Sequence, residues 1–213
     1  MALGVEYDGS HYCGWQRQKH DSASVQQNLE LALSKVADQS VQVICAGRTD
    51  SGVHGVGQVV HFDTDAKRTD RGWIFGCNAN LPDSISVRWA KPMPDAFHAR
   101  FSAISRAYRY VIYDSPVRPA LGSTHLTWNY RPLNVDLMRE AAQLLVGEHD
   151  FSSFQAQGCQ AKSPIRTIHH LHLFKRGHLV VIDVQANAFL QHMVRNIAGV
   201  LMTIGCGKQP LSW

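Results

Sequence analysis

Cys45-Ala-Gly-Arg-Thr-Asp-Ser-Gly-Val-His-Gly-Val-Gly-Gln-Val-Val-His-Phe62 is the stretch on which the reading of this chain turns. Val41, Val43 and Cys45 fall at alternate positions, which predicts a strand running into Gly47-Arg48-Thr49-Asp50. Gln58 to Phe62 predicts a second strand. Between them Gly47, Gly52, Gly55 and Gly57 point to backbone conformations that other residues resist, or to close approach of a ligand. Arg48 and Asp50 lie two apart at a strand end, where both can face one cleft. An Asx turn with a surface ion pair accounts for the same residues.

Outward from this stretch, Ala2 to Tyr7 reads as a strand and Asp8 to Ala23 as a loop. Ser24-Val-Gln-Gln27 reads as a capping box, with Ser24 capping and Gln27 reaching back. Val25, Leu29, Leu33 and Val36 follow at helical spacing. A weaker helix over 70–77 and a strand over 85–89 complete an order βαββαβ. The pattern then restarts. Ser105 to Tyr113 is a tyrosine-rich strand, and Leu137, Ala141, Leu144 and Leu145 mark a helix ending near Gly147. Strands over 168–174 and 178–184 flank a turn at Arg176-Gly177. Phe189 to Ile204 reads as a long helix with Met193, Ile197, Val200, Leu201 and Ile204 inward. The fold expected is α+β, two similar halves of antiparallel sheet backed by helices. Residues 1–98 form the first half and 99–213 the second. The second half reads βαββα, one strand short.

Composition narrows the classes. A chain of 213 residues buries roughly 70% of its unfolded surface. Its residues are 45% hydrophobic and 18% charged, which excludes a disordered chain. No apolar run approaches the ~20 residues of a bilayer crossing, and the opening lacks the pattern of a signal peptide. Five cysteines, at 13, 45, 77, 159 and 206, are odd in number and form no C-x-x-C, so a reduced, cytoplasmic protein is expected. Net charge is 21 − 17 = +4, so an RNA-binding role requires basic residues gathered on one face.

Two further segments carry chemistry. In Arg106-Ala-Tyr-Arg-Tyr110, residues 106, 108 and 110 share one strand face and Arg109 the other. Such a surface suits base stacking and phosphate contact, although strand propensity also explains the tyrosines. In Asn187-Ala-Phe-Leu-Gln-His-Met-Val-Arg-Asn-Ile-Ala-Gly199, Arg195 and Asn196 lie beside the apolar stripe and need partners there. A carboxylate such as Asp50 would serve Arg195, and ordinary helix-on-sheet packing is the other reading. The 12 histidines include His170 and His172 on one strand face, and His54 and His61 about a turn. No ligand spacing matches a metal centre, so no metal is expected. Neither a P-loop nor a G-x-S-x-G elbow occurs.

Together GRTDSGVHGVGQVVHF, RAYRY and NAFLQHMVRNIAGVLMTIG, with VEYDGSHYCGWQRQ at the start, resemble the tRNA pseudouridine synthase A family over nearly the whole chain. The resemblance implies isomerisation of uridine to pseudouridine in the anticodon stem and loop (tRNA positions 38–40). It implies a homodimer with neither metal nor organic cofactor, and tRNA as partner. It places the catalytic aspartate on Asp50, its neighbouring arginine on Arg48, the base-stacking tyrosine on Tyr108, and the arginine that pairs with the carboxylate on Arg195. Arg17, Arg106 and Arg166 are candidate RNA contacts. It also implies that the working enzyme continues past Trp213 with one more strand, and that a chain ending there folds poorly or associates. A tRNA-binding module or RNA chaperone without catalysis is the alternative, and a nucleoside hydrolase a second. A pure binder gains nothing from a carboxylate facing phosphate, which favours the enzyme.

Overall fold

The computed structural model describes residues 1–18 and 23–213. Residues 19–22 of the expected loop lie outside the described residues. The chain divides into two compact units, Met1–Ala103 and Ile104–Trp213.

The first unit is built on β1 (Ala2–Tyr7), in which every residue but Glu6 is buried. β1 is central because antiparallel partners cover both its edges, β3 (Gly55–His61) and β4 (Ile85–Lys91). β2 (Ile44–Cys45) adds outside β3, giving the order β2-β3-β1-β4. Helices α1 (Val25–Ala37) and α2 (Asp70–Asn78) share one core with Leu3, Val5, Val60 and Val87. Ser24 caps α1 by accepting from the Gln27 amide at 3.3 Å, as expected. The side chain that returns to Ser24 is Asn28, whose Nδ2 donates to the Ser24 carbonyl at 2.9 Å.

The strand expected over 41–45 shortens to two residues. Val41 and Val43 are buried, but their amides donate to Ser34 Oγ (2.9 Å) and Glu30 Oε1 (3.0 Å) on α1. Backbone groups spent on helix side chains do not join a ladder.

The second unit comprises β5 (Arg106–Asp114), β6 (Thr127–Asn129), α3 (Val135–Gln143), β7 (Gly147–Asp150), β8 (Ile165–Arg176), β9 (Leu179–Ala186) and α4 (Met193–Gly205). The sheet order is β6-β5-β9-β8-β7. Among the described residues of this sheet only β5 and β6 pair in parallel, over Ile112–Asp114. Val180, Ile182, Val184 and Ala186 of β9 pack with Met138, Ile197 and Leu201 of the helices. Sequence patterning misses β6 and β7 because Thr-Trp-Asn and Gly-Glu-His-Asp carry no apolar alternation. α4 begins at Met193 rather than Phe189, since His192 is left-handed at φ 61°. Leu144, placed in the stripe of α3 by its spacing, is 63% exposed at the helix end, and Met138 fills the core instead.

Candidate active site

In the first unit, the turn that carries Asp50 is held from beneath by the end of β1 and the segment that follows it. The Tyr7 ring is buried against Trp15, with centroids 5.7 Å apart. A buried phenol needs a polar partner, and Tyr7 finds it in Thr49, with oxygen atoms 2.9 Å apart. The Trp15 amide donates to the Thr49 carbonyl at 2.9 Å. Ser51 Oγ (3.2 Å) and the Gly52 amide (3.4 Å) both donate to the Tyr12 carbonyl. Val53 N closes the turn by donating to the Asp50 carbonyl at 3.2 Å. On the far side Gln58 clamps Gly47, donating through Nε2 to its carbonyl at 2.5 Å and accepting its amide at 3.4 Å. Asp50 is thus flanked on both sides by fixed backbone. Its side chain is half-buried and that of Arg48 is exposed.

Two glycines make this packing possible. A Cβ on Gly9 would sit 2.1 Å from the Val53 carbonyl oxygen, and one on Gly55 would sit 2.5 Å from the Tyr7 ring. Gly55 therefore makes room for the protein's own tyrosine rather than for a ligand. Gly47 and Gly57 face open space, which leaves room for approach from outside. Beside the turn, His54 Nδ1 lies 3.0 Å from Asp8 Oδ1 and accepts from the Gly9 amide at 3.2 Å. The Cys45 thiol, at the head of the turn, is pushed up to about 11 by burial, against the positive charges of Arg48 and Arg100. It is held as a protonated core group, unsuited to nucleophilic work. Arg17 is exposed, its amide donating to Gln26 Oε1 at 3.2 Å.

In the second unit, Tyr108 and Tyr110 of β5 lean on the core side and Arg109 takes the opposite face, as the alternation requires. Tyr108 meets Phe189 edge to face at 5.1 Å. Arg106 donates to the Asn187 carbonyl at 3.0 Å. Asn187 itself bridges to β8, accepting the Thr167 amide at 3.1 Å. The segment before α4 is therefore tied to β5 and β8. Of the polar pair on α4, Asn196 donates to the Phe154 carbonyl at 2.8 Å. Arg195, beside the stripe, is exposed. α4 turns that position outward while Met193 and Ile197 face the core. Arg166 is drawn onto its own backbone, donating to the carbonyls of Ser163 (2.9 Å) and Ile165 (2.6 Å).

The sequence reading missed Tyr7, Tyr12 and Trp15 as supports of the turn. Their signal was local: large aromatics interleaved with Gly9 and Gly14 at the end of a buried strand and just after it.

Comparison with known proteins gives one answer. The family model for tRNA pseudouridine synthase matches residues 4–102 and 141–213. The chain is 62% identical over 213 residues to the tRNA pseudouridine synthase A of Pseudomonas aeruginosa, covering 100% of this chain and 75% of that protein. It is 59% identical to the namesake of Alcanivorax borkumensis, covering 100% and 80%, and 57% identical to that of Pectobacterium atrosepticum, covering 100% and 75%. With an α+β fold of antiparallel sheets and helices and similarity running the length of the sequence, the chain belongs to the tRNA pseudouridine synthase family of isomerases.

Proposed function

We infer that this chain converts uridine to pseudouridine in the anticodon stem and loop of tRNA, with Asp50 as the catalytic carboxylate. The observation that carries this is the turn itself. A half-buried aspartate stands between two residues, Thr49 and Ser51, whose side chains are anchored to the segment below. In the reaction the N1–C1′ bond breaks, the base turns, and C5 bonds to C1′. The proton lost from C5 is balanced by one gained at N1, so no cosubstrate is needed. A carboxylate suits this chemistry, either attacking C1′ to form a glycosyl ester or assisting cleavage by removing a sugar proton. A uridine within a stem leaves the helix before C1′ is reached. Arg48 contacts the phosphate backbone, Tyr108 stacks on the uracil, and Arg195 pairs with the carboxylate. Arg17, Arg106 and Arg166 contribute to RNA binding.

The enzyme works as a cytoplasmic homodimer in this reading. The family resemblance supports the dimer, and five free cysteines support a reducing compartment. Among the described residues no helix is long and apolar enough to cross a membrane.

Asp50→Asn is the test. It changes charge with little change in size, so binding of unmodified tRNA stays within a few-fold while pseudouridine formation is lost. Full turnover by a verified Asp50→Asn sample would overturn the assignment. Tyr108→Leu loses ~1–3 kcal/mol of stacking, read as weaker tRNA binding and slower turnover. Normal kinetics in that variant would leave Tyr108 a packing residue.

A further inference from the structure

A column of rings ends on an open phenylalanine in the first unit. His61, the last residue of β3, lies 4.6 Å from His98 between centroids. His98 in turn stacks on Phe101 at 4.2 Å with planes 26° apart. Phe101 is 76% exposed, and the Arg100 guanidinium lies 5.7 Å from its centroid. A lone exposed phenylalanine is ordinary. This one is fixed in place. The Phe101 amide donates to His98 Nδ1 at 3.2 Å, the Ser102 amide donates to the His98 carbonyl at 2.8 Å, and the His98 amide donates to Ser102 Oγ at 3.1 Å. Ala99, buried between them, donates through its amide to His61 Nδ1 at 3.1 Å. The turn is thereby stapled to the end of β3 while its outer ring remains in water.

Position and charge identify what the ring is for. His61 pairs with Ile44, and the next residue, Cys45, leads into the turn that carries Arg48 and Asp50. Arg100 adjoins the ring in sequence and lies over its face. The ring therefore stands at the His61 end of β3 with that arginine next to it, while the turn that carries Asp50 lies toward the Gly55 end of the same strand. A preorganised aromatic face flanked by a guanidinium matches an unpaired base and its phosphate. By contrast Phe75, also exposed and with Arg71 at 4.9 Å, sits on α2 with no stacked ring among the described residues.

We propose that the Phe97–Ser102 turn is an RNA-binding subsite, in which Phe101 stacks on an unpaired base of the substrate's loop and Arg100 contacts the adjoining phosphate. This assignment rests on the proposed tRNA-modifying function and adds a contact apart from the reacting uridine.

The test is equilibrium binding and steady-state kinetics with unmodified tRNA for Phe101→Leu, Phe101→Trp and Arg100→Gln. Phe101→Leu keeps an apolar side chain without a flat face, and raises Kd and KM about 5- to 100-fold with kcat within about two-fold. Phe101→Trp restores binding to near the parent value. Arg100→Gln lowers the slope of log Kd against log salt by about one. Phe101 is exposed, so unfolding midpoints stay at the parent value. Unchanged Kd and KM in Phe101→Leu, with an unchanged salt slope in Arg100→Gln, would overturn the subsite. A shift of molecular mass by light scattering in Phe101→Leu with Kd unmoved would also overturn it, marking a contact between protein chains instead. Either failure leaves the Asp50 assignment standing, because that one is read from kcat in Asp50→Asn.

Discussion

Both units lay two helices on an antiparallel or mixed sheet, yet they use their polar groups differently. In the first, Tyr7, Tyr12 and Trp15 turn a hydrogen-bonding atom toward residues 49–52, so the loop is tied down at several points. In the second, the polar network ties the segment before α4 to β5 and β8 through Asn187 and Arg106, and Tyr108 rests edge-on against Phe189. One unit thus pins the turn that carries Asp50, and the other ties a connecting segment to an aromatic-lined strand. The difference also shows in the sheets. β1 has ladders on both sides along its length, whereas β5 is fully paired with β9 and meets β6 only over Ile112–Asp114.

The strongest way to break this contrast is at the glycines. Gly9→Ala places a Cβ against the Val53 carbonyl, a backbone atom that cannot swing aside. Overpacking of this kind costs about 1–3 kcal/mol, and the displaced turn should lower turnover at least tenfold. In the second unit Gly177 has φ +58° but open space around it. Gly177→Ala should cost about 1–2 kcal/mol from left-handed strain and leave turnover unchanged. Urea melts with parallel kinetics compare the two, and equal losses of turnover would erase the distinction between the turns.

Tyr7→Phe sharpens the same point with a smaller change. It deletes one hydroxyl and leaves Thr49 short of a partner, costing about 1 kcal/mol. If the bond positions Asp50, kcat falls with KM nearly unchanged, and Thr49→Ser restores nothing in that background. A stability loss with parent kcat would make Tyr7 a purely structural support.

Hydrogen exchange reads the sheets. Amides of β1, enclosed on both edges, should exchange more slowly than those of Arg106–Val111 in β5. Equal protection would show that pairing along the edge does not set local stability here.

The smallest effect concerns acid. Asp183 on β9 accepts from Arg109 Nε at 2.7 Å, and His170 Nε2 lies 2.9 Å from its other oxygen. The hydrogen bond from Arg109 and the contact with His170 hold its carboxyl below the ordinary value of 3.8. The folded state therefore binds that proton less readily than the unfolded chain. The stabilisation is complete above the ordinary value and is lost as pH falls through the lower folded one. Arg109 is largely exposed, so the gain is about 0.2–1 kcal/mol. Asp183→Asn should flatten the stability profile below pH ~4 by that amount and change nothing at neutral pH beyond it. A profile identical to the parent in acid would show the pair to be worthless.

Elements whose periodicity is strong and local are legible in the residues alone. β1, α1, β8, β9 and the core stripe of α4 follow from alternation, spacing and a serine cap, because each buries a face its own pattern defines. The residues also mark the turn with Asp50, since glycines packed that densely between two strands have few purposes. Tertiary structure decided what depends on partners distant in the chain. The strand expected over 41–45 shrinks because Ser34 and Glu30, on the neighbouring helix, take the amides of Val41 and Val43. Arg195 faces outward because the start of α4 is set by left-handed His192 and by the fit of Met193 into the core, not by the composition of its stripe. Tyr7, Thr49 and Gly55 meet across more than forty residues. Periodicity describes one element's faces, and it carries no information about which buried hydroxyl finds which acceptor when elements pack.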